Sequence, residues 1–319
     1  MKRCFDIVDL SSDVLISILK KLFNTFLTTL KIMIETSELI INADGSCFHL
    51  HVRPDQLADK VIMCGDPGRV DLIASYFDSR ECEISSREFH TITGTYKGKR
   101  ITAISHGIGP DNIDIVMNEL DALKNIDFET REIRPEHHTL ELVRIGTCGG
   151  LQPYLPCGTN IVSNISIGFD GVLNWYADRD KVADLDFERE LTSFIGYPKK
   201  AADPYVVHAD EDLAARIAGD DMVAGVTISA VGFYGPQGRI LRLPIASPLI
   251  NKRIEEFDYK GYRITNYEME SAALAGFARM LGHKAVTVCH VVANRVAHAA
   301  NVDYKVTMPN LIIKVLERI

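Results

Sequence analysis

Metal-binding spacing is missing from this sequence. None of its seven cysteines forms a CxxC pair and its ten histidines contain no HExxH, so neither a structural nor a catalytic metal site is expected. Cys4, Cys47, Cys64, Cys82, Cys148, Cys157 and Cys289 are odd in number and scattered, several within apolar runs such as 61–64. That pattern fits buried thiols in a reducing cytoplasm. Positive charge is also scarce, with 35 Lys and Arg against 43 Asp and Glu and a net charge of -8. Nucleic acid and anionic membranes are therefore not expected as partners, and any bound anion must be held by a few arginines converging on one pocket. A long uncharged apolar run is absent too. Leu15, Leu19, Leu22, Phe26 and Leu30 fall on one helical face, but Asp6, Asp9 and Asp13 interrupt the stretch and Lys20, Lys21 and Lys31 flank it, with no small-residue cleavage site following. Neither a signal peptide nor a membrane span is expected. Residues 1–32 read as an N-terminal extension, dispensable or arising from an upstream start with Met33 as the real one, and 33–319 as the functional domain.

What is present is an ordinary globular composition, 46% hydrophobic and 24% charged, long enough for a sizeable core. From about Leu39 onward short β-rich runs alternate with helical patterns, which predicts an α/β fold with a largely parallel sheet. Strands are expected at 60–64, 81–85, 91–96, 100–105, 140–145, 160–165, 223–229, 263–267 and 285–293, and helices at 111–124, 210–218, 248–257, 270–281 and 304–318. Ligands of such sheets sit beyond the carboxyl ends of strands. The stretches found there are 65–69, 107–109, 146–150, 232–239, 268–270 and 294–295. None is a Walker P-loop or a GxGxxG fingerprint, so nucleoside triphosphates and NAD recede.

Gly65-Asp66-Pro67-Gly68-Arg69 has Asp66 in N-cap position and Pro67 as first helical residue. Open backbone N–H groups near Gly65 and the charge of Arg69 suit an anion, although an ordinary capped turn reads equally well. Arg144 lies within an apolar strand, where an unpaired charge is costly, so it must have a partner. A carboxylate would serve, but the adjoining Gly146-Thr147-Cys148-Gly149-Gly150, read as a glycine-rich turn, favours phosphate. Glu268 and Glu270 stand where a strand passes to an alanine-rich helix. Carboxylates there can accept the hydroxyls of a sugar diol, and Glu270 is expected to stay ionised at the helix N-terminus; acidic residues also simply decorate first turns. In Phe233-Tyr234-Gly235-Pro236-Gln237-Gly238-Arg239 an amide, a guanidinium and aromatic faces could hold a flat polar ring, unless the stretch is an exposed loop.

In this order, the segments GDPGRV, SREFHTITGTY, VRIGTCGG, GFYGPQGR, NYEMES and VANR, spread over 48–319, resemble the nucleoside phosphorylase family and, within it, the uridine phosphorylase branch. The resemblance implies a single-domain three-layer αβα sandwich around a central mixed sheet. It implies phosphate held by Gly65, Arg69, Arg144 and Thr147, with Arg87 reaching in from a neighbouring subunit. Ribose falls to Glu268, Met269 and Glu270, with His49 from the neighbour. The base falls to Gln237 and Arg239, with Phe233 lining the pocket and Arg295 helping through water. Phosphate would attack the anomeric carbon as uracil departs, with Arg239, Gln237, Glu270 and Arg144 supplying orientation and electrostatics. Purine-specific relatives carry an aspartate where this chain has Asn294-Arg295, which favours a pyrimidine. The resemblance implies a homo-oligomer, at least a dimer and usually a hexamer built as a trimer of dimers, in the cytoplasm. No cofactor is expected beyond inorganic phosphate as co-substrate. Two departures stand out: His106 occupies a position usually held by threonine, and Gly109-Pro110-Asp111-Asn112 departs from the pattern, which weighs against a monovalent cation near Glu88 and Ile108. The competing readings are a purine nucleoside phosphorylase, a nucleosidase using water, and a non-catalytic nucleoside-binding protein; retention of Arg69, Arg144 and Glu270 counts against the last.

Overall fold

The computed structural model describes residues 33–297, 299–300 and 303–319, so the 1–32 extension lies outside the described residues. Strand β1 (Lys60–Cys64) shows how the layers form. Its side chains alternate between two cores, as a period of two requires. Val61 and Met63 pack into a cluster with Leu120 and Ala273, while Ile62 and Cys64 pack into another with Val70, Ile217 and Leu311. Both faces of the strand are thus covered by helices, and the hydrophobic effect places the sheet in the middle.

On one side of β1 runs β4 (Lys99–Ser105), parallel to it. Beyond β4 the sheet continues through antiparallel hairpins as β3 (Phe89–Tyr96) and then β2 (Ser79–Ser86). On the other side β7 (Glu141–Gly150) is parallel to β1, and β13 (Lys284–Asn294) is parallel to β7. Next come β8 (Asn160–Gly168), antiparallel to β13, and β10 (Val223–Ser229) and β12 (Tyr262–Glu268), parallel in turn. The end of β12 then pairs back onto the end of β7, Asn266 opposite Gly150, so this side of the sheet curls closed. Short strands complete it: β9 (Tyr205–His208) on β8, β11 (Asp258–Tyr259) on β12 and β14 (Ala299–Ala300) on β13. A separate small hairpin is formed by β5 (Ile126–Asp127) and β6 (Glu132–Ile133).

Helices α1 (Pro67–Ala74), α4 (Glu211–Ala218) and α7 (Met308–Arg318) cover one face. Helices α2 (Pro110–Asn125) and α6 (Ser271–Leu281) cover the other. A third core is formed by α3 (Leu185–Ile195) and α5 (Ile250–Glu256) against β8, β10 and β12. The sheet is mixed, so the expectation of a largely parallel one holds only around β1 and β10. The 146–150 stretch is not a turn: β7 stays paired with β13 as far as Gly150, and none of its glycines has positive φ. Helix α3 and strand β9 were not expected, and the last helix begins at Met308, after a 3-10 turn at Tyr304–Val306.

Candidate active site

The carboxyl ends of β1, β4, β7, β12 and β13, with the loop after β10, surround a cavity of about 500 Å³. Gly65, Arg69, Arg144, Thr147, Phe233, Gln237, Arg239, Glu268, Met269 and Glu270 all border it. Residues separated by two hundred positions in sequence are therefore brought to one site by strand register.

At the β1 side, Asp66 caps α1 by accepting from the Gly68 N–H at 2.9 Å, with Pro67 following. The close approach of two chain segments requires glycine at 65, since a Cβ there would lie 2.9 Å from the Gly107 carbonyl. Arg69 is buried and donates from Nη1 to the Ile145 carbonyl at 3.0 Å. Among the described residues it forms no ion pair, so its charge is left for an anion. Arg144 is buried as well, and the partner it requires is carboxylate. Nη2 donates to Glu270, and Nη1 lies 2.8 Å from Glu268 Oε2 without hydrogen-bond alignment. Burial opposes its charge, but Glu270 and Glu268 outweigh that and hold it protonated above its ordinary range. Nη1 is thus paired in charge with Glu268 but makes no aligned hydrogen bond, which leaves a buried donor able to turn to a further acceptor. A Cβ on Gly146 would lie 2.6 Å from that Nη1, so any larger residue there would displace the guanidinium.

The two carboxylates differ. Glu268 accepts from the Ser229 hydroxyl at 2.6 Å, from both the N–H and the hydroxyl of Ser271, and from the Glu270 N–H at 2.9 Å. Its oxygens are saturated by the start of α6 and the end of β10. Among the described residues the carboxylate of Glu270, the N-cap residue of α6, accepts only from the Gly109 N–H at 2.8 Å and from Arg144. It keeps lone pairs for a ligand. The helix terminus does not simply hold it ionised, as expected: burial raises its pKa above the usual carboxylate range, with Arg144 opposing and Glu268 adding to the rise.

The loop after β10 carries the third part. Gln237 is buried, whereas Phe233 is half exposed. Arg239 stacks on the Phe233 ring, 3.8 Å from its centre, and donates to the Phe233 carbonyl at 2.6 Å and to Gln237 Oε1. That leaves the Gln237 NH₂ free to donate. Arg295 does not border the cavity; it donates to the Gln237 and Gly238 carbonyls and so props the loop from the end of β13. Asn294 Nδ2 donates to the carbonyls of Gln152 and Leu155 at 2.9 and 2.7 Å.

Two expected residues stand apart from this chain's own cavity. His49 places Nδ1 2.6 Å from Glu119, whose carboxylate also accepts from the His49 and Leu50 N–H groups. Arg87 lies over Phe48, 5.9 Å from its ring centre, on a positive-φ turn between β2 and β3. Motif reading missed Ser229, which orients Glu268; Gly109, which orients Glu270, lies in the expected 107–109 stretch. The strand-end rule would have found Ser229, the last residue of β10.

Among the described residues two groups of ligating side chains lie elsewhere. In Asp121, His137 and His283, His283 Nδ1 accepts from the Leu140 N–H at 3.1 Å. The proton is then on Nε2, facing Asp121 at 3.1 Å, and no ring lone pair is left for a metal. In the other group His90 has both ring nitrogens engaged, by Ser85 at 2.7 Å and Asp71 at 3.0 Å. A larger cavity of about 660 Å³ lies across Arg239 from the site, walled by Phe169, Leu241, Leu243 and other apolar groups with no carboxylate among them. Its chemistry is that of an apolar cleft. Among the described residues no helix is long and apolar enough to cross a membrane.

A family model described as the phosphorylase superfamily matches residues 59–313. The chain is 30% identical over 261 residues to a uridine phosphorylase from Thermococcus kodakarensis, covering 80% of each protein. It is 29% identical over 244 residues to purine nucleoside phosphorylase DeoD-type 1 from Aliivibrio fischeri, covering 76% of this chain and 84% of that one. Among solved structures, a Trypanosoma brucei nucleoside phosphorylase that shows uridine phosphorylase activity superposes with a TM-score of 0.81 at 31% identity, covering 88% of this chain and 98% of that one.

Proposed function

The chain belongs to the phosphorylase superfamily, and on that premise we propose that it cleaves uridine with inorganic phosphate, giving uracil and ribose 1-phosphate. The observation that supports this reading most is the division of labour within one cavity. Two buried arginines with unspent donors, Arg69 and Arg144, stand at the β1 and β7 ends, Glu270 beside them, and the Gln237–Arg239 pair on the loop after β10.

In this reading phosphate sits on Gly65, Arg69, Arg144 and Thr147. Glu270 accepts a ribose hydroxyl and Met269 lines the sugar, while Glu268 acts through Ser271 and the start of α6. Uracil presents two carbonyl oxygens and one N–H. The Gln237 NH₂ and the guanidinium of Arg239 donate to the carbonyls, and Gln237 Oε1 has a second lone pair for the N–H. Phe233 packs on the ring and Arg295 holds the loop. A phosphate oxygen forms its bond to the anomeric carbon as the bond to the base nitrogen breaks, and the electron pair leaves with uracil, which then takes up a proton. No protein nucleophile is needed. Oriented donors aimed at the charge that develops are worth roughly 3 to 4 kcal/mol each.

His49 and Arg87 do not border their own cavity and would complete that of a neighbouring subunit, making the active unit at least a dimer and, by the family's habit, a hexamer. Catalysis in this scheme needs no cofactor, and its setting would be the cytoplasm. A second reading, purine phosphorolysis, draws on the Aliivibrio fischeri relative. Against it, Asn294 has its amide committed to two carbonyls and offers no acid to a purine ring. The test is release of free base from uridine and from inosine, with and without phosphate. Phosphate-dependent release from uridine with inosine a poor substrate is expected; preference for inosine would move the chain to the purine reading.

A further inference from the structure

His106 has no part in the scheme above, yet it touches the residue on which the anion end depends. It follows β4, is fully buried, and its Nε2 accepts from Nε of Arg144 at 3.1 Å. A ring nitrogen that accepts carries no proton, so the neutral imidazole keeps its proton on Nδ1. Burial, followed by Arg144 and Arg69, depresses its pKa well below the usual histidine range, which keeps the ring an acceptor. The imidazole is also set against the anion turn, since a Cβ on Gly65 would lie 3.7 Å from His106 Cε1. The three edges of the Arg144 guanidinium are thereby divided. Nε is tied to His106, Nη2 to Glu270, and Nη1 lies 2.8 Å from Glu268 Oε2 without an aligned hydrogen bond.

We propose that His106 is a positioning residue for the anion subsite, whose imidazole anchors Nε of Arg144 so that Nη1 is presented to phosphate, and which braces the Gly65 turn against the same guanidinium. The inference rests on the phosphorolytic reading. It is distinguishable from mere filling of space. Leucine would occupy the volume but leave Nε buried without an acceptor. Glutamine places an amide oxygen near the position of Nε2, while the shorter amide of asparagine reaches only as far as Nδ1.

The experiment is steady-state kinetics on purified wild type, His106→Leu and His106→Gln, varying phosphate and uridine separately, with melting temperatures measured with and without phosphate. Losing one hydrogen bond to a charged group should raise the phosphate KM of His106→Leu about tenfold or more, with the uridine KM changed less than about threefold. His106→Gln should stay within about threefold of wild type for phosphate. An unchanged phosphate KM in His106→Leu, or equal impairment of both variants, overturns the proposal. Should His106→Leu fail to fold, His106→Asn carries the same expectation. If wild type needs no phosphate, the phosphorolytic reading falls by itself, and the phosphate-induced rise in melting temperature decides about His106: loss in His106→Leu with retention in His106→Gln supports it. Equal rises in both variants, or no rise in any protein, overturn it.

Discussion

Where the cavity meets β1, β7 and β12, its working side chains are almost wholly buried and tied to sheet ends: Arg144 to Glu268, Glu270 and His106, Glu268 to Ser229 and Ser271. Where it meets the loop after β10, Phe233 is half exposed and Arg239 is held by its own loop and a stacked ring. Strand register fixes the first region, so its geometry and the fold cannot be altered separately. A loop propped by Arg295 fixes the second, which can change what it recognises at little cost to stability. On the proposed reading, the anion and sugar chemistry is built into the core, and base choice is carried by the loop after β10.

The largest effect is expected from Arg144→Ala. It should lower kcat/KM at least about a thousandfold and, by leaving two buried carboxylates unpaired, reduce stability by about 3–5 kcal/mol. Loss of activity with an unchanged melting curve would break the coupling between site and fold claimed for this end. Arg239→Ala should lower kcat/KM for uridine roughly a hundredfold while leaving stability within about 0.5 kcal/mol of wild type and the phosphate KM little changed. A large fall in melting temperature would show that the loop is as integral as the strands. Glu270→Gln sharpens the contrast through pH. The carboxyl must be ionised to hold Arg144 and accept a hydroxyl, and its pKa is raised by burial, so activity should fall with decreasing pH before the ordinary carboxylate range is reached. The acid limb should disappear in Glu270→Gln, and a limb that persists there belongs to another group. The smallest effect is expected from Phe233→Ala, a loss of about 0.5–1 kcal/mol, or roughly two- to fivefold in uridine KM, from the exposed ring contact; stability should not move.

Much of this was legible in the sequence because strand ends can be found from local pattern. The six stretches named there all reach the cavity or hold its walls, and Asp66 and Pro67 start α1 as their chemistry demands. The 146–150 stretch misled because glycines suggest a turn, whereas here they let a strand pass beneath the Arg144 guanidinium. Partners could not be read locally. Arg144 meets Glu270 across 126 positions, and whether a carboxylate or an anion satisfies it depends on the folded sheet. Glu268 and Glu270 look equivalent in sequence; only packing against Ser229 and Ser271 saturates one and spares the other. Helix α3 was legible in Phe187, Leu191 and Ile195, four apart with charged residues between them, which is the amphipathic pattern itself. Strand β9, four residues long, is too short for alternation to register.

The most direct test of the central claim is to follow the sugar product from uridine by phosphorus and proton resonance in phosphate buffer. One ribose 1-phosphate for each uracil released is the predicted result, with no turnover when phosphate is omitted. Free ribose, formed at the same rate in either buffer, would contradict it.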